Sequence, residues 1–119
     1  MTFTKKDNIY KITRITGNRD NILGVSFNNN DTINSIENNI EIVEWDFPNI
    51  NNTKIRTSKK EILHQVISGL NSINEALGTS YKLSKIYYVP AEDGSSQIYQ
   101  TLIRSLIKHY YEGKEFKEV

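Results

Sequence analysis

Two stretches of this chain repeat apolar residues at the three-and-four spacing of a helix, and no other feature constrains the fold as much. In the first, Ile62, Leu63, Val66, Ile67, Leu70, Ile73 and Leu77 fall on one stripe. Ser58-Lys59-Lys60-Glu61 before it matches a capping box, in which the Ser and Glu side chains reciprocally satisfy free N–H groups of the first turn. Gly78 stands where a left-handed residue closes a helix. In the second, Ile98, Tyr99, Leu102, Ile103, Leu106, Ile107, Tyr110 and Tyr111 keep the same spacing. Asp93-Gly94-Ser95-Ser96 supplies turn and cap residues ahead of that helix, and Gly113 ends it. Two helices with one apolar stripe each need a further apolar surface to pack on.

Strand-forming segments supply that surface. Residues 9 to 16 and 22 to 27 are rich in β-branched and aromatic residues, and Gly17-Asn18-Arg19-Asp20-Asn21 between them is turn-forming, which predicts a hairpin. Leu23, Val25 and Phe27 alternate with Gly24 and Ser26, so the large side chains share one face, toward the core. Residues 40 to 47 form a third strand, with Glu41, Val43, Trp45 and Phe47 on one side and Ile40, Ile42, Glu44 and Asp46 on the other, and Pro48 ends it. A fourth runs over residues 80 to 89 and stops at Pro90. The asparagines of residues 28 to 39 predict an exposed loop with a short turn at Ile33 to Ile36, residues 49 to 56 a second loop, and the last six residues a charged tail. The order β-β-β-α-β-α predicts an α+β fold, a mainly antiparallel sheet of about four strands with two helices packed on it, in a single domain over residues 1–119.

Several function classes are disfavoured. The chain has no cysteine, which removes disulfides and thiolate metal sites and fits a reducing cytoplasm. The N-terminus lacks the apolar core of a secretory signal, and no run approaches the roughly 20 apolar residues of a membrane helix, so a cytoplasmic protein without membrane contact is expected. His64 shares the polar side of the first helix with Lys60 and Ser68 and reads as a solvated surface histidine. His109 is placed to favour the C-terminal carbonyls of the second helix. Neither has the orienting partners of a catalyst, and Gly-x-Ser-x-Gly, His-Glu-x-x-His and phosphate-loop motifs are absent from the sequence. The expectation is therefore no enzyme activity, no cofactor and no bound metal.

The net charge of +1 conceals a segregation. Residues 31 to 46 carry Asp31, Glu37, Glu41, Glu44 and Asp46 with no Lys or Arg, while residues 54 to 60 carry Lys54, Arg56, Lys59 and Lys60 with no acid. The acidic run is consistent with solvated loops or with a docking surface for a basic protein, with Trp45 as its aromatic anchor or as a core residue. The basic run is consistent with nucleic-acid binding, against which the near-neutral net charge weighs.

Three stretches, Lys11 to Phe27 (KITRITGNRDNILGVSF), Glu61 to Pro90 (EILHQVISGLNSINEALGTSYKLSKIYYVP) and Ile98 to Val119 (IYQTLIRSLIKHYYEGKEFKEV), together resemble immunity proteins of the CdiI type from bacterial contact-dependent growth inhibition systems. The resemblance implies a cytoplasmic inhibitor that binds the C-terminal toxin domain of a cognate CdiA effector one-to-one and protects the producing cell. Many such toxins are nucleases, often acting on transfer RNA, so their substrate surfaces are basic. On this view the toxin-binding residues are Asp31, Glu37, Glu41, Glu44, Trp45 and Asp46, the acids standing in for a phosphate backbone, and no direct nucleic-acid contact is expected. The alternative is a small nucleic-acid-associated regulatory protein working through Lys54, Arg56, Lys59 and Lys60.

Overall fold

The first strand lies ahead of the segments predicted above. In the computed structural model, which describes residues 1–16, 19–28, 40–44, 58–89 and 98–119, Thr2–Lys6 (β1) pairs antiparallel with Ile9–Thr16 (β2). Lys6 faces Ile9, leaving Asp7 and Asn8 as a two-residue turn, and Asp7 takes the left-handed φ of 55° that such tight turns demand. Strand β3 (Arg19–Phe27) then pairs antiparallel with β2 from Thr16 opposite Arg19 onward, so it begins before the expected Ile22.

Three more strands complete the sheet: β4 (Glu41–Glu44), β5 (Leu83–Tyr88) and β6 (Lys117–Glu118). Among the described residues the sheet has six strands in the order β4-β5-β3-β2-β1-β6. β3 pairs antiparallel with β5, but β4 runs parallel to β5 and β6 parallel to β1. The expected four-stranded, mainly antiparallel sheet is thus corrected to a six-stranded mixed one, and the element order among the described residues to β-β-β-β-α-β-α-β. The physical reason for the first parallel pair is the helix between its strands, because a strand-helix-strand crossover returns the chain in its original direction. The expected charged tail is corrected as well, since its end forms β6.

The two helices stand where the periodicity puts them, as α1 (Lys59–Leu77) and α2 (Ile98–Tyr111). At the start of α1 the Glu61 N–H donates to Ser58 Oγ at 3.2 Å, while the Glu61 carboxylate accepts from Gln65 Nε2 at 3.2 Å. Gly78 closes α1 with φ 67°, and Thr79 N–H reaches back to the Asn74 carbonyl at 2.9 Å. Gly113 ends α2 in the same way, with φ 69° and the Lys114 N–H on the His109 carbonyl at 3.2 Å.

The core lies between the sheet and the helices. Ile12, Leu23, Val25, Ile86 and Tyr88 from the strands meet Ile62, Val66 and Leu70 of α1 and Leu102, Ile103, Leu106 and Ile107 of α2. Phe27 packs on this cluster from the face it shares with Leu23 and Val25. The helices touch closely at Gly69, where a Cβ would lie 2.5 Å from Ile103 Cγ2 and 2.7 Å from the Gln100 carbonyl oxygen. Buried Gln65 joins them, its Oε1 accepting from the Tyr99 N–H at 3.2 Å in the first turn of α2. The Tyr99 hydroxyl donates to the Val89 carbonyl at 2.7 Å and so ties that turn to the end of β5.

Among the described residues no helix is long and apolar enough to cross a membrane. The loops expected over residues 28–39 and 49–56, the extension of the third strand to Phe47, the stops at Pro48 and Pro90 and the cap at Asp93 to Ser96 fall mainly or wholly outside the described residues.

Candidate interaction surface

The β-branched pair Ile42 and Val43 makes residues 41–44 a strand, and its parallel register against β5 decides where each side chain goes. Ile42 lies beside the buried Ile86 and, with Ile40, packs against the core. Alternation then sends Glu44 to the helix-covered face and Glu41 to the opposite one. Both carboxylates are exposed, at the two ends of a strand that forms one edge of the sheet. Glu41 sits 3.5 Å from Lys85 Nζ, with their side chains 62% and 47% exposed. At such exposure the pair contributes about 0–1 kcal/mol, little enough for an incoming cation to replace Lys85.

The structure therefore brings Glu41 and Glu44 onto one edge strand but not onto one face; Asp31, Glu37, Trp45 and Asp46 lie outside the described residues. Of the basic residues, Lys59 and Lys60 are exposed at the start of α1, and Lys54 and Arg56 also lie outside the described residues. Among the described residues no group of three His, Cys, Asp or Glu side chains converges as metal ligands.

Beside the acidic edge runs a surface cleft of about 320 Å³, lined in part by Ile40, Ile67, Leu70, Asn74, Tyr81 and Leu83. Asn74 holds its rim: Oδ1 accepts from the Tyr81 N–H at 3.0 Å and from Thr79 Oγ1 at 2.8 Å, while Nδ2 donates to the Tyr81 carbonyl at 3.0 Å. A neighbouring hollow of about 440 Å³ shares Ile67 and is lined also by Leu63 and His64, the latter exposed on the polar side of α1 as expected. Sequence reasoning did not find this cleft, because Ile40 meets Ile67 and Leu70 only through the β4-β5 pairing.

A second group of residues missed from the sequence is aromatic. Phe3 of β1, Tyr10 of β2, Phe27 of β3, Tyr81 ahead of β5, Tyr110 of α2 and Phe116 ahead of β6 form one network of ring contacts. His109 stacks on Phe3 with centroids 3.7 Å apart. His109 lies in the last turn of α2, as expected, and its Nε2 lies 2.7 Å from the Glu115 carbonyl oxygen, which ties the ring to the returning tail. Backbone N–H groups of residues 112 to 114 bond the carbonyls of Lys108, Tyr110 and His109 as the chain turns at Gly113. The Tyr110 phenol is pushed up from its ordinary value by burial, then by the neighbouring Tyr10 and Tyr81, with Lys5 opposing.

No family model matches this chain, and neither a curated protein nor a solved structure shows significant similarity to it.

Proposed function

We propose that this chain is an immunity protein, which binds the C-terminal toxin domain of a CdiA effector one-to-one and neutralises it, and that the β4 edge is part of the contact. The observation that carries the placement is the pair of exposed carboxylates, Glu41 and Glu44, at the ends of an edge strand and on opposite faces of the sheet. A partner that grips the edge meets one carboxylate from each side. Beside them the cleft lined by Ile40, Ile67 and Leu70 offers apolar surface. An apolar centre next to charges that steer encounter suits capture of a basic protein such as a nuclease, including one directed at transfer RNA.

The test is to co-express the chain with the toxin domain encoded immediately upstream of its gene and to measure association of the purified pair. Protection of cells together with a stable complex supports the immunity function; death without a complex overturns it. Given a complex, the double variant Glu41→Lys, Glu44→Lys is expected to associate about tenfold more slowly at low salt with its circular dichroism unchanged. An unchanged association rate keeps the function but moves the interface away from β4.

A further inference from the structure

Gly69 faces α2, and Ile67 and Asn71, two residues to either side, point about 160° away from it at the pitch of a helix. On that outer flank of α1 stand Lys60, His64, Ile67, Asn71 and Asn74, at alternating spacings of four and three. Such residues form a straight line along the axis, about 21 Å long at the rise of a helix. The two surface hollows join on this line, since Ile67 and Asn71 border both. Half-buried Leu63 adds apolar surface in one hollow and half-buried Ile40 in the other. Tyr81, whose backbone N–H and carbonyl both bond the Asn74 side chain, borders the groove at the Asn74 end.

The charge of this groove is opposite to that of the β4 edge. Exposed Lys60 stands at one end and exposed Lys82 at the other, and neither has an ion pair among the described residues. Among the described residues no Asp or Glu lines either hollow. An apolar floor with basic ends complements a segment that has apolar side chains at its centre and carboxylates outside them. A phosphate backbone would answer the lysines but would set charge on Ile40, Leu63 and Ile67, so the floor selects a peptide. We propose that the groove takes an acidic amphipathic segment of the partner, its apolar side chains on Ile40, Leu63 and Ile67 and its carboxylates on Lys60 and Lys82. The partner's identity as a toxin domain rests on the immunity function; what the groove adds is selection among toxins. A cognate domain presents a basic surface to Glu41 and Glu44 and an acidic, apolar segment beside it. A nuclease that is merely basic meets Lys60 and Lys82 as like charges and is rejected.

The first experiment leaves the toxin out. The isotope-labelled full chain is titrated by NMR, at low salt, with a helical peptide of about 14 residues, the length of the line. The peptide carries leucines on one face and glutamates on the other; its controls are the same peptide with lysine for every glutamate and a thymidine oligonucleotide. Saturable shifts at Ile40, Leu63, Ile67, Asn71 and Tyr81 are expected with the acidic peptide, and binding about tenfold weaker or less with the basic one. Asn71→Glu puts a carboxylate at an exposed position on the line and is expected to weaken the acidic peptide by about tenfold, with circular dichroism unchanged. Absence of saturable binding, equal binding of the two peptides, equal binding of the oligonucleotide at the same residues, or undiminished affinity in Asn71→Glu overturns the groove. The second experiment uses the toxin complex, in which Lys60→Glu with Lys82→Glu is expected to speed dissociation about tenfold. Unchanged dissociation overturns the groove as a toxin contact and leaves the immunity function standing. Peptide binding without any toxin complex supports the groove and removes the immunity function.

Discussion

Two residues set opposite limits on how the interior is built. At Gly69 α1 packs tightly on α2, and a methyl group there meets Ile103 and the Gln100 carbonyl at distances that real Cβ atoms essentially never show. Gly69→Ala should relieve helix-propensity cost yet force the helices apart, with a net loss of about 1–3 kcal/mol in urea denaturation. Wild-type stability in Gly69→Ala would show that the two helices separate there at no cost. Ser26 is the converse case: its hydroxyl is buried at 3% exposure and has no hydrogen-bond partner among the described residues. Ser26→Ala removes an unsatisfied polar group and is expected to hold stability constant or raise it by about 1 kcal/mol. A clear loss of stability would reveal a bond to this hydroxyl. Tyr110 makes a prediction in pH. Its folded phenol holds its proton more tightly than the unfolded chain does, so its contribution is fully present below about 10, the ordinary tyrosine value. As pH rises through that value and on through the folded one, the unfolded chain ionises first and stability falls. The alkaline slope of the melting temperature should be shallower in Tyr110→Phe than in the wild type.

At the level of elements, the last strand is the least secure and the most informative. β6 pairs over only Thr4 with Lys117 and Lys5 with Glu118, continued by the Val119 N–H on the Lys5 carbonyl at 3.0 Å. A ladder this short is not self-supporting, and side chains must hold it. Phe116 does so, packing edge-on against Phe3, Tyr10 and His109 with centroids 4.8 to 5.8 Å apart. Phe116→Ala is expected to cost about 2 kcal/mol, below the range for a fully buried ring. It should also raise amide exchange over residues 114–119 and along β1, while α1 keeps its protection. Uniform loss of protection instead would show that the tail folds with the whole sheet. The α1 boundaries, by contrast, follow from local chemistry, and Ser58 and Gly78 could be assigned from the sequence because a cap needs only its own turn.

For the molecule as a whole, charge placement matters more than net charge. A docking edge made of Glu41 and Glu44 predicts that the association rate with a basic toxin domain falls as ionic strength rises, steeply for the wild type and weakly for the charge-reversed double variant. Parallel salt curves for the two proteins would remove β4 from the interface. The sequence alone determined both helices with their apolar faces, the alternation that turns Leu23, Val25 and Phe27 inward, and the sides on which Glu41 and Glu44 emerge. These are periodic signals, and a period is written in neighbouring residues. β1 was also legible in principle, from the turn pair Asp7-Asn8 between two β-prone runs. What only the tertiary structure decided is non-local: the parallel pairings of β4 with β5 and β6 with β1, the cleft where Ile40 meets Ile67, and the meeting of Tyr10, Tyr81 and Tyr110. Residues so far apart along the chain become neighbours only when the loops between them close and a shared core fixes the register, and no local pattern encodes that choice.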